Sequence, residues 1–141
     1  SRANPFTGEL YDADIRISAD FVRAFYEGTF GDVCCAVYPC YCFHNTFGVR
    51  YENEKPKNLS QLQRDWLEQW QDPFYRDLQN ATVDGINEYG NASTEFERDK
   101  MRWLFLRATQ HQIATFDAAW ITSDPWPGEG NEIGILAGTA N

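Results

Sequence analysis

The stretch beginning at Ser93 or Thr94 and running to about Ile121 constrains this chain most. Its apolar residues include Trp103, Leu104, Leu106, Ala108, Ile113, Ala114, Phe116, Ala119 and Trp120. They recur at helical steps but cover more than one face. A helix that is apolar on several sides needs a body around it to bury them. Ser93 can cap its start, with Glu95, Glu97 and Asp99 near the positive end of the helix dipole, and Asp124-Pro-Trp-Pro-Gly128 breaks it. At 141 residues the chain is one domain or part of one (1–141). Five Trp, seven Tyr and ten Phe supply more apolar surface than a disordered segment carries.

Two further helices follow from the same periodicity. Ser18 caps one whose stripe is Phe21, Val22, Phe25 and Tyr26, ending at Gly28. Leu59, Leu62, Trp66, Leu67 and Trp70 mark a second over 59–71, capped by Asn58 or Ser60. Asp72-Pro73 restarts a short helix with proline at its first position. Residues 80–94, rich in Asn, Asp, Gly and Ser, read as a polar loop. Residues 9–17 alternate, with Tyr11, Ala13, Ile15 and Ile17 on one side and Asp12, Asp14 and Arg16 on the other. That alternation predicts a half-buried strand. The fold expected is therefore α+β: a small sheet containing strand 9–17, packed by helices near 18–28, 59–71 and 95–121. Residues 29–54, with Pro39, Gly48 and many aromatics, read as irregular or as short strands at 40–43 and 47–51.

All four cysteines fall in that irregular segment: Cys34, Cys35, Cys40 and Cys42, with His44 two residues on. The spacing C-C-x4-C-x-C-x-H is neither a paired zinc knuckle nor a haem-attachment motif. One or two structural disulfides, buried reduced thiols, or a metal held by cysteine and His44 remain open from the residues alone. Disulfides imply an oxidising compartment, hence an extracytoplasmic location, periplasmic or secreted. Three N-x-S/T sequons, at Asn58, Asn80 and Asn91, are compatible with a secretory route. Asp12 and Asp14 on one strand face could hold Ca²⁺ or act as acid and base; the plainer reading is a solvated face.

Twelve Lys and Arg stand against 21 Asp and Glu, a net charge of −9. That balance disfavours nucleic acid as a partner. No apolar run is long enough to span a bilayer, so no transmembrane segment is expected, although a complex at a membrane surface is allowed. The polar start, Ser1-Arg2-Ala3-Asn4, lacks a Met and a signal-peptide pattern. The chain reads as a processed product, an excised fragment or the ordered part of something longer. His111, alone in the middle of the long helix, reads as a core or interface residue. No nucleophile elbow and no phosphate-cradling glycine loop is present.

Asn4-Pro-Phe-Thr-Gly-Glu-Leu10 with Ala13-Asp14-Ile15 resembles a stretch of large secreted bacterial zinc metallopeptidases, in which a T-G-E strand follows a turn. Ala108-Thr-Gln-His-Gln-Ile-Ala114 is similar to a helix that such proteins carry before their zinc helix. The resemblance implies the upstream half of a metzincin-like catalytic domain. It also implies a strand beside the substrate cleft whose backbone, at Glu9, Tyr11, Ala13 and Ile15, can add a peptide or partner strand. The zinc-binding H-E-x-x-H motif is absent from this chain. No catalytic residue carries over, no cofactor is expected in the chain itself, and zinc is implied only for a full-length parent. The functional expectation is a chain non-catalytic by itself, acting as a structural or binding subunit in an extracytoplasmic assembly. The alternative is a fragment of an active metallopeptidase whose zinc helix lies downstream. Its partners are other subunits or the rest of a longer polypeptide, with Trp66, Trp70, Trp103, Trp120 and Trp126 as candidate interface anchors.

Overall fold

A computed structural model describes residues 7–54 and 57–121; the Asp124–Gly128 break and Trp126 lie outside the described residues. Five helices account for most of the chain: α1 (Asp12–Glu27), α2 (Phe30–Glu54), α3 (Gln61–Gln69), α4 (Pro73–Ala92) and α5 (Glu95–Ile121). Among the described residues there is no strand, so the fold is all-helical and the α+β expectation is corrected.

The expected strand 9–17 is the start of α1. Seven or eight residues of alternation also satisfy a helix when the buried set is read at three- and four-residue steps. Tyr11, Asp14, Ile17, Asp20 and Ala24 are that set, whereas Ile15 is exposed. Asp12 and Asp14 sit in the first turn, where the helix dipole favours carboxylates. Asp12 also pairs with Arg16 one turn on, at 3.2 Å. The peptide-adding strand at Glu9, Tyr11, Ala13 and Ile15 is therefore not formed: from Asp12 onward the backbone groups belong to helix α1.

The expected irregular segment is α2, 25 residues long with Pro39 in its interior. An interior proline removes one helical hydrogen bond and costs about 3 kcal/mol in an isolated helix. Tertiary packing outweighs it here, because α2 is the axis of the molecule and packs against all four other helices. Its start is fixed by a reciprocal cap. Thr29 N–H donates to Asp32 Oδ2 at 2.8 Å, and Asp32 N–H donates to Thr29 Oγ1 at 3.2 Å.

Helicity also overturns the disulfide reading: all four cysteines are free thiols. Cys34 and Cys35 are neighbours on a helix whose side chains splay apart, and Cys40 and Cys42 face nearly opposite ways. The remaining pairs are separated by about 7.5 to 12 Å of helical rise, beyond bridging distance. The extracytoplasmic expectation thereby loses its cysteine argument.

Helix α3 forms as expected, with Ser60 and Gln63 making a capping box. Proline does open α4 at Pro73, with Asp72 capping, but the helix runs on through the expected loop 80–94 as far as Ala92. Its glycines serve packing rather than turning. A Cβ on Gly85 would stand 2.7 Å from Cys34 Sγ and 2.9 Å from a Phe30 ring carbon. On the facing helix, a Cβ on Gly31 would stand 2.7 Å from Tyr89 Cβ. Two glycine notches, one on each helix, thus let α2 and α4 close together. Helix α5 starts at Glu95 as expected; Thr94 is the cap, and Glu97 reaches back to its N–H at 2.7 Å. Met101 and Leu104 of α5 pack on Cys35 of α2, with Ile86 and Phe105 alongside. No helix among the described residues is long and apolar enough to cross a membrane.

Candidate functional site

Helices α1, α2, α3 and α5 enclose a cavity of about 380 Å³. Its described wall contains Asp14 and Ile17 from α1, and Cys40 and His44 from α2. Trp66 comes from α3, and Gln112, Thr115, Phe116 and Ala119 from α5. Helical spacing explains the convergence. Cys40 and His44 are one turn apart, as are Gln112 with Thr115 and Thr115 with Ala119, so each helix presents one inward stripe.

The aromatic wall is stacked rather than loose. The His44 ring lies 4.2 Å from the Trp70 ring, tilted by 31°, and meets Trp66 edge-on at 5.7 Å and Phe116 at 5.9 Å. Trp66 and Trp70, one turn apart on α3, are in turn edge-to-face at 6.3 Å. Tyr75 at the start of α4 backs Trp70 at 4.6 Å. Such tilted and edge-on pairs are favourable beyond their buried area.

His44 Nδ1 lies 2.7 Å from the Cys40 carbonyl oxygen and 3.6 Å from Cys40 Sγ. A carbonyl only accepts, so Nδ1 carries the hydrogen and donates it. Nδ1 therefore cannot take the Cys40 proton as a general base. The pair is an arrangement for holding the imidazole, not a thiol–base dyad of the kind that activates cysteine nucleophiles. No group of three or more His, Cys, Asp or Glu among the described residues is arranged to hold a metal ion.

Gln112 is the most informative polar group. The residue is only 5% exposed, it lines the cavity, and its carboxamide makes no hydrogen bond to any described residue. Thr115 sits one turn further, donating its hydroxyl to the Gln112 carbonyl at 2.8 Å and keeping its own oxygen as an acceptor. Asp14, also 5% exposed, places a carboxyl group in the same wall.

Beside the cavity a buried charged cluster joins α1 to α5. Asp20 Oδ2 receives Arg107 Nε at 2.9 Å, and His111 Nδ1 lies 2.8 Å from the same oxygen. Burial pushes the Asp20 carboxyl up, but its hydrogen bonds with His111 and Arg107, together with the Arg107 charge, outweigh that and leave it below its ordinary value. His111 is fully buried, in keeping with the core histidine expected. Arg107 also lies over Trp103, 5.1 Å from the ring centroid.

The cavity brings together four of the residues singled out from sequence: Asp14, Cys40, His44 and Trp66, with Trp70 immediately behind. It leaves others apart. Cys34 and Cys35 are buried against α4 and α5, and burial first, then the nearby Asp32 and Cys34, push the Cys35 thiol up to about 12. Cys42 contacts Tyr38. Trp103 belongs to the charged cluster, and Trp120 is 88% exposed at the end of α5. Sequence reasoning missed Gln112, Thr115, Phe116 and Ala119. Their three- and four-residue spacing on the longest helix was a usable signal, but an all-round apolar helix does not reveal which stripe faces a cavity.

Aromatic walls and a few convergent polar groups thus border a partly open cavity between packed helices, a location where ligand sites occur in helical proteins. No family model matches the chain, and neither a curated protein nor a solved structure matches it.

Proposed function

We propose that this chain is a binding module, non-catalytic by itself, that holds a small organic ligand between α1, α2, α3 and α5. The observation that carries this reading is a cavity of about 380 Å³ walled by Trp66, Phe116 and the His44 ring, with Gln112 and Thr115 among its polar groups. That volume lies at the lower end of ordinary ligand pockets. The tautomer that the Cys40 carbonyl imposes on His44 supports binding over thiol catalysis.

The test is a fragment screen by ligand-observed NMR on the full chain and on Ala119→Phe, whose added ring occupies the cavity. The reading predicts hits that compete for one site and disappear in the variant while its helical circular dichroism is retained. Hits untouched by the filled cavity, or none at millimolar concentration, overturn it.

A second reading has its own support. Helix α1 exposes Ile15, Val22, Phe25 and Tyr26, and α5 exposes Trp103, Leu106, Ile113 and Trp120. Exposed apolar residues in such number mark surfaces that dock on protein. The chain as a subunit of a larger assembly is compatible with ligand binding. Size-exclusion chromatography with light scattering of the full chain, against Trp120→Glu, tests self-association through this surface.

A further inference from the structure

We infer that a second cavity, at the turn between α3 and α4, binds a neutral polyhydroxylated molecule of monosaccharide size. It lies on the other side of Trp70 from His44's own cavity wall only in the sense that its lining is different, and the inference does not rest on the reading above.

The space measures about 490 Å³ and is bordered by the later turns of α2, the turn 70–72 and the start of α4. Two residues of α2 set these walls. Gly48 is buried, and a Cβ there would stand 2.7 Å from the Trp70 carbonyl oxygen, so glycine lets the turn seat against the helix. Asn45, one turn earlier, donates from Nδ2 to the Tyr75 carbonyl oxygen at 3.1 Å and to Gln79 Oε1 at 2.6 Å, which ties α2 to α4.

Polarity is sorted by depth. The buried and half-buried groups of the described wall are all neutral: the carboxamides of Asn45, Gln71 and Gln79, and the indole of Trp70. The charged ones, Arg50, Glu52, Asp72 and Arg76, are exposed at the rim, two of each sign. Exposed charges in balance are screened by solvent and favour neither an anion nor a cation strongly. Carboxamides both donate and accept, as a hydroxyl does. A carboxylate brings no donor for the amide oxygens, and an ammonium brings no acceptor for the amide and indole N–H groups.

Two wall residues carry buried atoms without a hydrogen-bond partner. Asn45 Oδ1 is an acceptor, on a residue only 9% exposed, and Trp70 Nε1 is a donor. Buried polar atoms are normally satisfied in a folded protein. The two are of opposite polarity, so the group that completes both must donate as well as accept, and a hydroxyl is the simplest that does. The Trp70 indole is braced by the His44 and Tyr75 rings, whose centroids lie 4.2 and 4.6 Å away, so its N–H is held in place before a ligand arrives.

The experiment is a titration followed in two-dimensional ¹⁵N–¹H spectra of the full chain. The neutral probes are the methyl glycosides of glucose, galactose and mannose; glucuronate and glucosamine are the charged controls. The inference predicts a saturable shift from at least one neutral glycoside, largest at the Trp70 indole N–H (assigned by its loss in Trp70→Phe) and the Asn45 side-chain NH₂. Both charged sugars should bind at least about fivefold more weakly. Trp70→Phe keeps a ring and removes the donor, and should weaken the neutral sugar about tenfold. Thr46→Phe, at an exposed position of the wall, fills the space and should abolish the shifts. Ala119→Phe fills the other cavity and should leave the affinity within about twofold. Shifts that survive Thr46→Phe overturn the inference. So do shifts that vanish in Ala119→Phe instead, which would move the sugar into the first cavity and leave the earlier reading standing. A charged sugar binding as tightly as its neutral counterpart refutes the neutral assignment, and no saturable shift from any neutral glycoside at high millimolar concentration refutes the site. The wild-type ranking does not depend on the variants, whose folding circular dichroism checks separately.

Discussion

The two halves of α2 are packed in opposite ways. From Phe30 to Pro39 the helix is lined with small or compact residues, and Gly31, Asp32, Cys34, Cys35, Ala36 and Pro39 are all buried. Here α4 approaches so closely that a single added methyl group meets sulfur or ring carbon. From Cys40 onward the packing residues are rings, which touch at tilted and edge-on angles and leave a cavity between them. Small residues allow backbones to close up and exclude space. Bulky rings braced against one another, on helices tied together by a buried charged cluster, hold walls apart. The ring-lined half bounds the cavity of about 380 Å³, while beside the close-packed half a second cavity of about 350 Å³ is lined by Cys35, Ile86, Met101 and Phe105.

The largest expected effect comes from cutting the tie between α1 and α5. Asp20→Ala removes the carboxylate that Arg107 and His111 share, and should cost about 3 kcal/mol, read as a lower urea midpoint. The same tie has a pH signature. Asp20 titrates below its ordinary value of 3.8 in the folded chain, so unfolding takes up a proton in acid. Its stabilisation is whole above the ordinary value and is lost as pH falls through the lowered one. Asp20→Asn should flatten that part of the acid limb; an unchanged limb would show that Asp20 is not the group responsible.

The closed half should break next. Gly85→Val drives a branched side chain into Cys34 and Phe30 and should cost about 2 kcal/mol, even though valine outranks glycine as a helix former. A neutral result would mean that α2 and α4 do not sit this close. Thr29→Ala removes the reciprocal cap of α2 and should cost about 1 kcal/mol. The smallest stability change belongs to the open half, where Ala119→Phe enters existing space and should shift stability by less than about 1 kcal/mol. A large loss there would mean that the space is not available. The thiols sharpen the same contrast. In the native chain iodoacetamide should modify Cys40 and Cys42, which are half-buried, well before Cys34 and Cys35, which are buried with raised pKa values. Peptide mapping by mass spectrometry reads the order.

The closed half was hard to read in the sequence for a specific reason. Pro39 and Gly85 are breakers by local propensity, and tertiary packing overrides propensity where a small residue permits close approach. The reciprocal cap Thr29-x-x-Asp32 was a legible start signal for α2, and reading it would have turned the irregular segment into a helix. The strand expected over 9–17 failed because a short alternating window satisfies both periods, and the exposure of Ile15 is a tertiary fact. Helices α3 and the long α5 were legible because their apolar periodicity runs over many residues. Of the candidate site, Cys40, His44 and Trp66 were visible as chemistry-bearing residues. Asp14 was weighed as a Ca²⁺ ligand or an acid–base group and, more plainly, as part of a solvated face. Gln112 was invisible, since nothing about a glutamine in sequence says that it lines a cavity.

The central claim is tested most directly at that amide. Two-dimensional ¹⁵N–¹H spectra of the full chain, titrated with a fragment that competes for the cavity, report the Gln112 side-chain NH₂ pair, assigned by its loss in Gln112→Leu. A binding cavity between α1, α2, α3 and α5 predicts that this pair moves first and furthest, together with the backbone signals of Thr115 and Ala119. A static Gln112 signal, with perturbations confined to the outer faces of α1 and α5, would contradict it.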